Sequence, residues 1–270
     1  MLLKEYLLIA TKICEERNLE IEAVKKLLIE LKYQSAANLL LSMNDEFDDS
    51  LFGKINLYLD KKIPVQYILG YTYFYGIKVK VNNNTLIPRD DTERLVDVAI
   101  SEIKNNGYKS CLDLCTGSGI IALAIKKETN IEMIASDISI EALTIAEENA
   151  RANNLDITFI HSDILEKIDQ DFDIIVSNPP YISYNEYVQD IVVVNEPHLA
   201  LFAEDDGLYF YKKILNEIKE KQKKIKMIIF EIGYNQAEAV SKIAKNLFAG
   251  CDVMVIKDYA NLDRVVKIII

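Results

Sequence analysis

Positive charge, histidine and cysteine are all scarce in this 270-residue sequence. Lys and Arg number 31 against 42 Asp and Glu, a formal net charge of −11. Nucleic-acid affinity comes largely from neutralising phosphates with Lys and Arg. The acidic balance therefore argues against a protein that tracks a phosphate backbone, and favours a small-molecule or protein substrate. There are two histidines and four cysteines, Cys14, Cys111, Cys115 and Cys251, with no C-x-x-C pair. Neither a zinc site nor a disulfide framework is expected from that set, and no metal is assigned. The thiols read as reduced and buried. No run of about 18 apolar residues exists, so no membrane span is expected. The start, Met1 to Glu5, has no cationic region or cleavage site of a secretory signal. A cytoplasmic, monomeric protein is the expectation. Half of the residues are hydrophobic, enough for a substantial core.

What is present changes character along the chain. Residues 1 to about 70 carry leucines at helical spacing. Val24, Leu27, Leu28 and Leu31 share one face of a helix expected from Ile21 to Tyr33, with Lys25, Lys26, Glu30 and Lys32 opposite. This stretch reads as a bundle of four or five helices with nothing catalytic in it. Between Ile63 and Pro88 comes an aromatic cluster, Tyr67, Tyr71, Tyr73, Phe74 and Tyr75. Then Ile77, Val79 and Val81 alternate with Lys78 and Lys80 at strand period, which predicts a β-hairpin linker. From Thr92, placed as a helix cap, strands and helices alternate. Strands are expected at 110–115, 132–136, 156–161, 172–177, 225–232, 251–257 and 264–270. The alternation predicts an α/β fold, a doubly wound seven-stranded sheet.

Four of the strands end on residues that carry chemistry. The first leads into Asp113-x-Cys115-Thr116-Gly117-Ser118-Gly119, then a helix. Glycines there let the backbone approach a ligand, and a helix N-terminus favours an anionic group. The glycines are two apart, so this is not the G-x-G-x-x-G dinucleotide fingerprint. The carboxylate of Asp113 would repel a pyrophosphate but suit an amino acid's ammonium. Asp137 ends the second strand, where an acid accepts hydrogen bonds from ribose hydroxyls. Asp163 ends the third, and with Ile164 suits an adenine amino group and ring. An amino acid, a ribose and an adenine on successive strand ends make S-adenosylmethionine the expected cofactor.

The fourth strand ends at Asn178-Pro179-Pro180-Tyr181. Each proline fixes its own φ, lacks an N–H and holds the residue before it out of the α region. The result is a stiff, acceptor-rich backbone beside an amide and an aromatic ring, suited to gripping a flat group that bears N–H. In this reading the Asn178 side-chain oxygen and the Pro179 carbonyl accept the target's two N–H groups, Tyr181 packs on its flat face, and alignment supplies much of the rate. Asn178, Pro179 and Tyr181 are the catalytic candidates, and Pro180 joins them in holding substrate. Cys115, Thr116, Gly117, Ser118, Gly119, Asp137, Asp163, Ile164 and Asn178 are the cofactor candidates. His161 and His198 read as structural. The residues alone leave open whether the target is an amide or a nucleobase.

Beyond these motifs the chain resembles the peptide chain release factor glutamine N5-methyltransferases over nearly its whole length. The resemblance rests on Pro64-Val65-Gln66-Tyr67-Ile68-Leu69-Gly70, Leu86-Ile87-Pro88-Arg89-Asp90-Asp91-Thr92-Glu93, the glycine loop, Asn178 to Ile182, and Glu196-Pro197. It implies a class I methyltransferase domain over 90–270, a helical release-factor-binding domain over 1–70, and the linker over 71–89. It also implies that the substrate is the glutamine of the Gly-Gly-Gln loop in class I release factors. The tetrad alone is shared with nucleic-acid methyltransferases, and adenine N6 or guanine N2 methylation is the alternative. A non-catalytic cofactor-binding protein is a third reading, which the tetrad disfavours. The family's first loop glycine is replaced by Cys115, expected to be extended at the strand end. Arg89, Glu93 and Glu196 match the family without an evident role.

Overall fold

Leucine spacing is realised as helices α1 (Leu3–Arg17), α2 (Ile21–Leu28), α3 (Ala36–Leu41), α4 (Phe52–Leu59) and α5 (Val65–Leu69) in the computed structural model, which describes residues 1–270. A π-helical turn, Ile29–Tyr33, continues α2 to the expected end. Val24, Leu27 and Leu28 lie in a core with Leu3, Leu7, Ile55 and Leu59. Two compact units result: Met1–Tyr71 with Gln189–Asn195, and Thr72–Val188 with Glu196–Ile270. The sequence-distant 189–195 segment joins the helical unit because Ile191 packs on that core and Asn195 Nδ2 donates to the Lys62 carbonyl.

From Thr72 the larger unit takes in the hairpin β1 (Tyr71–Phe74) and β2 (Ile77–Lys80). Tyr75 and Gly76 make its turn at φ 49° and 68°, the two positive values that a tight right-twisted hairpin requires. The hairpin is part of this unit, not a free connector. Next come α6 (Thr92–Asn106), β3 (Ser110–Leu114), α7 (Ile120–Thr129), β4 (Glu132–Asp137), α8 (Ile140–Ala152), β5 (Thr158–His161) and β6 (Ile174–Ser177). The short β7 (Ile182–Ser183) and β8 (Phe202–Ala203) pair with each other, separated in sequence by α9 (Asp190–Asn195). Then follow α10 (Tyr209–Glu220), β9 (Met227–Glu231), α11 (Ala237–Leu247), β10 (Asp252–Lys257) and β11 (Asp263–Ile269).

Seven strands form one sheet in the order β10-β11-β9-β6-β3-β4-β5. Only β11 runs against the rest, pairing antiparallel with both β9 and β10. The middle strands are mostly apolar because helices cover both faces; all four residues of β6 are buried. From β3 the chain steps outward to β4 and β5, then crosses back to β6 on the other side. That reversal puts a crevice at the carboxyl ends of β3 and β6, where open α/β sheets bind ligands. Leu114 pairs with Ser177 in register, so Cys115 and Asn178 leave the sheet side by side.

Candidate active site

A cleft of about 1070 Å³, counting the space at its mouth, opens over that crevice. Cys115 to Ser118, Asp137, Asp163, Ile164, Asn178 and Pro180 line it, together with Arg89 and Thr92 from the stretch before and into α6. So the strand-end residues do converge on one site. Three candidates stand elsewhere. Gly119 lies behind the wall as the N-cap of α7, at φ 85°, and a Cβ there would come within 3.1 Å of Ala146 Cβ on α8. Pro179 and Tyr181 are not on the wall either. The Tyr181 ring packs against the sheet core, and its hydroxyl donates to Glu231 Oε1 at 3.4 Å. Burial raises that phenol's pKa far above the usual range, with the Glu231 charge adding to it.

Behind the tetrad lies a brace. The Tyr181 carbonyl accepts from Gln236 Nε2 at 2.9 Å, and Gln236 Oε1 accepts from Gly233 N–H at 3.0 Å. Gly207, at φ 82°, passes so close to the Tyr181 carbonyl that a Cβ would overlap it. The stiffness contributed by two prolines is thus completed by contacts from the loops before α10 and α11.

The glycine loop departs from expectation at its first position. Cys115 is left-handed, at φ 60°, not extended. The chain must turn immediately after Leu114 so that Thr116 N–H reaches the Ser136 carbonyl at 3.0 Å. Cysteine therefore carries a strain that glycine would not. Ile164, also on the wall, is left-handed at φ 47°, which is rarer still for a β-branched residue.

Asp113 does not face the cleft. It is fully buried, and its Oδ2 accepts from Thr116 Oγ1 at 2.6 Å and Ala122 N–H at 3.2 Å. It ties the loop to the first turn of α7, and no ammonium can reach it from the wall. Burial pushes its carboxyl up to about 7, outweighing those two hydrogen bonds. Asp137 does line the cleft. Its Oδ2 accepts from Gly117 N–H at 2.8 Å and its Oδ1 from Ser139 N–H at 2.9 Å. Burial raises its carboxyl too, against those backbone donors. Asp163 pairs through Oδ2 with Lys213 at 2.6 Å.

Residues without an evident role acquire one. Glu196 is buried, pairs with Arg89 at 2.6 Å and accepts Ile87 N–H at 3.0 Å, so it clamps the Ile87-Pro88-Arg89 stretch beside the cleft. Glu93 accepts Tyr75 N–H at 3.0 Å, anchoring the hairpin turn. Thr92 is not the cap of α6. Asp91 holds that position, and the Thr92 side chain turns inward, 1% exposed, to accept from Asn178 Nδ2 at 3.4 Å. Sequence reasoning passed over Asn149 altogether. Its amide holds Lys80 N–H at 2.7 Å, the Lys80 carbonyl at 3.0 Å and the Ser118 carbonyl at 2.9 Å, joining hairpin, α8 and glycine loop. Glu231 and Gln236 were also missed. The available signal was an acid closing the apolar run Met227–Phe230, as Asp137 closes β4.

A seven-stranded sheet of this order, with its crevice at the β3/β6 switch, defines a class I, S-adenosylmethionine-dependent methyltransferase. The family model described as methyltransferase small domain matches residues 91–200. A solved methyltransferase from Pyrococcus furiosus shares the fold, with a TM-score of 0.53 at 17% identity, covering 82% of this chain and 98% of its own. Release factor glutamine methyltransferase from Lactococcus lactis is 40% identical over 252 residues, 92% of this chain and 93% of that protein. Its namesake from Staphylococcus aureus is 32% identical over 273 residues, 98% of each. This chain belongs to the release factor glutamine methyltransferase family.

Proposed function

We propose that the protein transfers a methyl group from S-adenosylmethionine to the side-chain amide nitrogen of the Gly-Gly-Gln glutamine in class I release factors. One observation carries the chemistry: Asn178, at the end of β6, shares a cleft wall with Asp137 and Asp163, at the ends of β4 and β5. The cleft suits the cofactor. A Cβ added at Gly117 would meet nothing within 4 Å, so the loop backbone is bare to an incoming ligand. Asp137, steadied by two backbone N–H groups, is the acceptor for ribose hydroxyls, and Asp163 with Ile164 takes the adenine. Thr116, Gly117 and Ser118 hold the amino-acid end. Asp113 serves indirectly, by fixing that loop.

When bound, S-adenosylmethionine supplies an electrophilic methyl on its sulfonium. The protein's own work is to present a poor nucleophile to it. An amide nitrogen has a delocalised lone pair, so orientation matters more than a strong base. The Asn178 side-chain oxygen, on the cleft wall, accepts from the glutamine amide, and Pro179, set back from that wall, stiffens the turn that carries it. Pro180 bounds the slot, and Tyr181 holds the tetrad in place from behind.

The helical unit, residues 1–71 with 189–195, is the surface for the release factor. The protein acts as a monomer and holds no nucleic acid stably, in keeping with its charge of −11. No helix is long and apolar enough to cross a membrane. The test offers labelled cofactor with a class I release factor and ribosomal RNA together. Label on the release factor alone is expected. Label on the RNA would favour the nucleobase reading.

A further inference from the structure

We propose that Glu231 is a positioning residue for methyl transfer: an acceptor-only carboxylate beneath the tetrad that fixes which end of the Asn178 amide faces the cleft. The inference rests on the transferase reading above and deepens it.

Glu231 closes β9, the strand beside β6. Phe230 pairs with Ser177, so Glu231 lies level with Asn178 under the cleft floor. It is 1% exposed, and its Oε2 has no hydrogen-bond partner. A carboxylate so placed is costly, and an apolar side chain would pack the strand end better. Its surroundings supply a reason for it. The Tyr181 hydroxyl donates to Oε1. The Thr92 hydroxyl lies beside it and favours its ionised form. The Thr92 oxygen in turn accepts from Asn178 Nδ2. The two ends of the tetrad thus converge on one buried carboxylate, Tyr181 directly and Asn178 through Thr92.

Hydrogen-bond polarity does the rest. An ionised carboxylate only accepts. The Thr92 hydroxyl proton is drawn toward it, which leaves the Thr92 oxygen to accept from Asn178. The Asn178 NH2 then points at Thr92, and its carbonyl oxygen is left for the target. A neutral acid or an amide at position 231 carries donors of its own. One of them can face Thr92, whose hydroxyl then turns toward Asn178 and recruits the carbonyl. The amide flips, and an NH2 meets the target's N–H groups.

Burial pushes the Glu231 carboxyl up to about 7, the Thr92 hydroxyl opposing the rise. The other groups facing it are Asp91 from the start of α6, Arg264 from β11, and the phenols of Tyr181 and Tyr211. Arg264 is itself held by Asp91 and Asp258, each at 3.2 Å. Turnover should therefore fall as pH drops through that region, because protonation reverses the polarity.

The experiment compares wild type, Glu231→Gln and Thr92→Val. Each variant is checked for folding by thermal unfolding. Turnover on a class I release factor is measured against pH, and the Asn178 side-chain amide is followed by 15N NMR in the cofactor-loaded protein. The expected result is a fall in kcat of about a hundredfold in both variants, with KM and cofactor Kd within about threefold, the size of effect that misorientation produces. The acid limb should vanish in Glu231→Gln. The Asn178 amide signal should titrate with pH in wild type and stop doing so in either variant. Turnover and an acid limb preserved in Glu231→Gln would overturn the proposal. So would an Asn178 signal blind to both substitutions. Wild type inactive on release factor would refute the substrate reading instead, and the NMR titration would still decide the role of Glu231.

Discussion

Replacing Gly207 by alanine should damage the site without touching the cleft. The added Cβ would overlap the Tyr181 carbonyl and sit 2.6 Å from Gln236 Nε2. Three costs combine. A non-glycine residue at φ 82° costs about 1 kcal/mol. Separating Gln236 from the Tyr181 carbonyl removes a hydrogen bond worth about 1 kcal/mol net. Overpacking a tight contact costs about 1–3 kcal/mol. The total is about 3–5 kcal/mol. Gly107→Ala is the internal control. Its φ is 63°, and a Cβ there meets nothing within 4 Å, so only the backbone cost applies, about 1 kcal/mol. Urea unfolding of both variants gives the stability difference, and turnover on a release factor shows whether the tetrad has shifted. The account expects Gly207→Ala to lose several times more stability than Gly107→Ala and to lose activity as well. Equal midpoints and equal turnover in the two would refute the brace behind the tetrad.

Other substitutions probe other joints. Cys115→Gly relieves a left-handed residue, so unfolding in urea should show a gain of about 1 kcal/mol with cofactor Kd unchanged by calorimetry; a loss of stability would contradict the strain. Asp113 has a folded carboxyl at about 7 against a reference of 3.8. A raised carboxyl contributes stability in acid that is lost as pH rises through the folded value. Asp113→Asn should therefore unfold with a shallower loss of stability across that window than wild type does, and parallel pH curves would count against the burial assigned to it. Asn149→Ala leaves three backbone groups without their partner, at about 1 kcal/mol each; hydrogen exchange should then quicken in the hairpin and the glycine loop together, and quickening in only one would deny the link.

Much of the fold was legible because its signals are local. Apolar runs bounded by turns gave the strands, and leucine spacing gave the helices. The cleft was legible for a related reason: in an open sheet, the residue that ends a strand is also the residue that meets the ligand. What escaped depended on contacts distant in sequence. Thr92 reads as a cap until its burial against Asn178 is known. Asp113 and Asp137 look alike as acids near strand ends, yet one lies within β3 and turns inward while the other ends β4 and lines the cleft. Cys115 looks extended until Thr116 is seen bonding to Ser136. Residues 189–195 show no sign in their own composition of packing on a core built from the first seventy residues. Tyr181 reads as a ring packed on the target's flat face until its hydroxyl is found turned toward Glu231.

The central claim concerns one nitrogen on one side chain. A purified class I release factor, incubated with this protein and S-adenosylmethionine, is digested and sequenced by tandem mass spectrometry. The account predicts a single added methyl on the glutamine of the Gly-Gly-Gln loop, absent when Asn178→Ala replaces wild type although that variant still binds cofactor. An unmodified loop glutamine, or methylation that persists in Asn178→Ala, would contradict it.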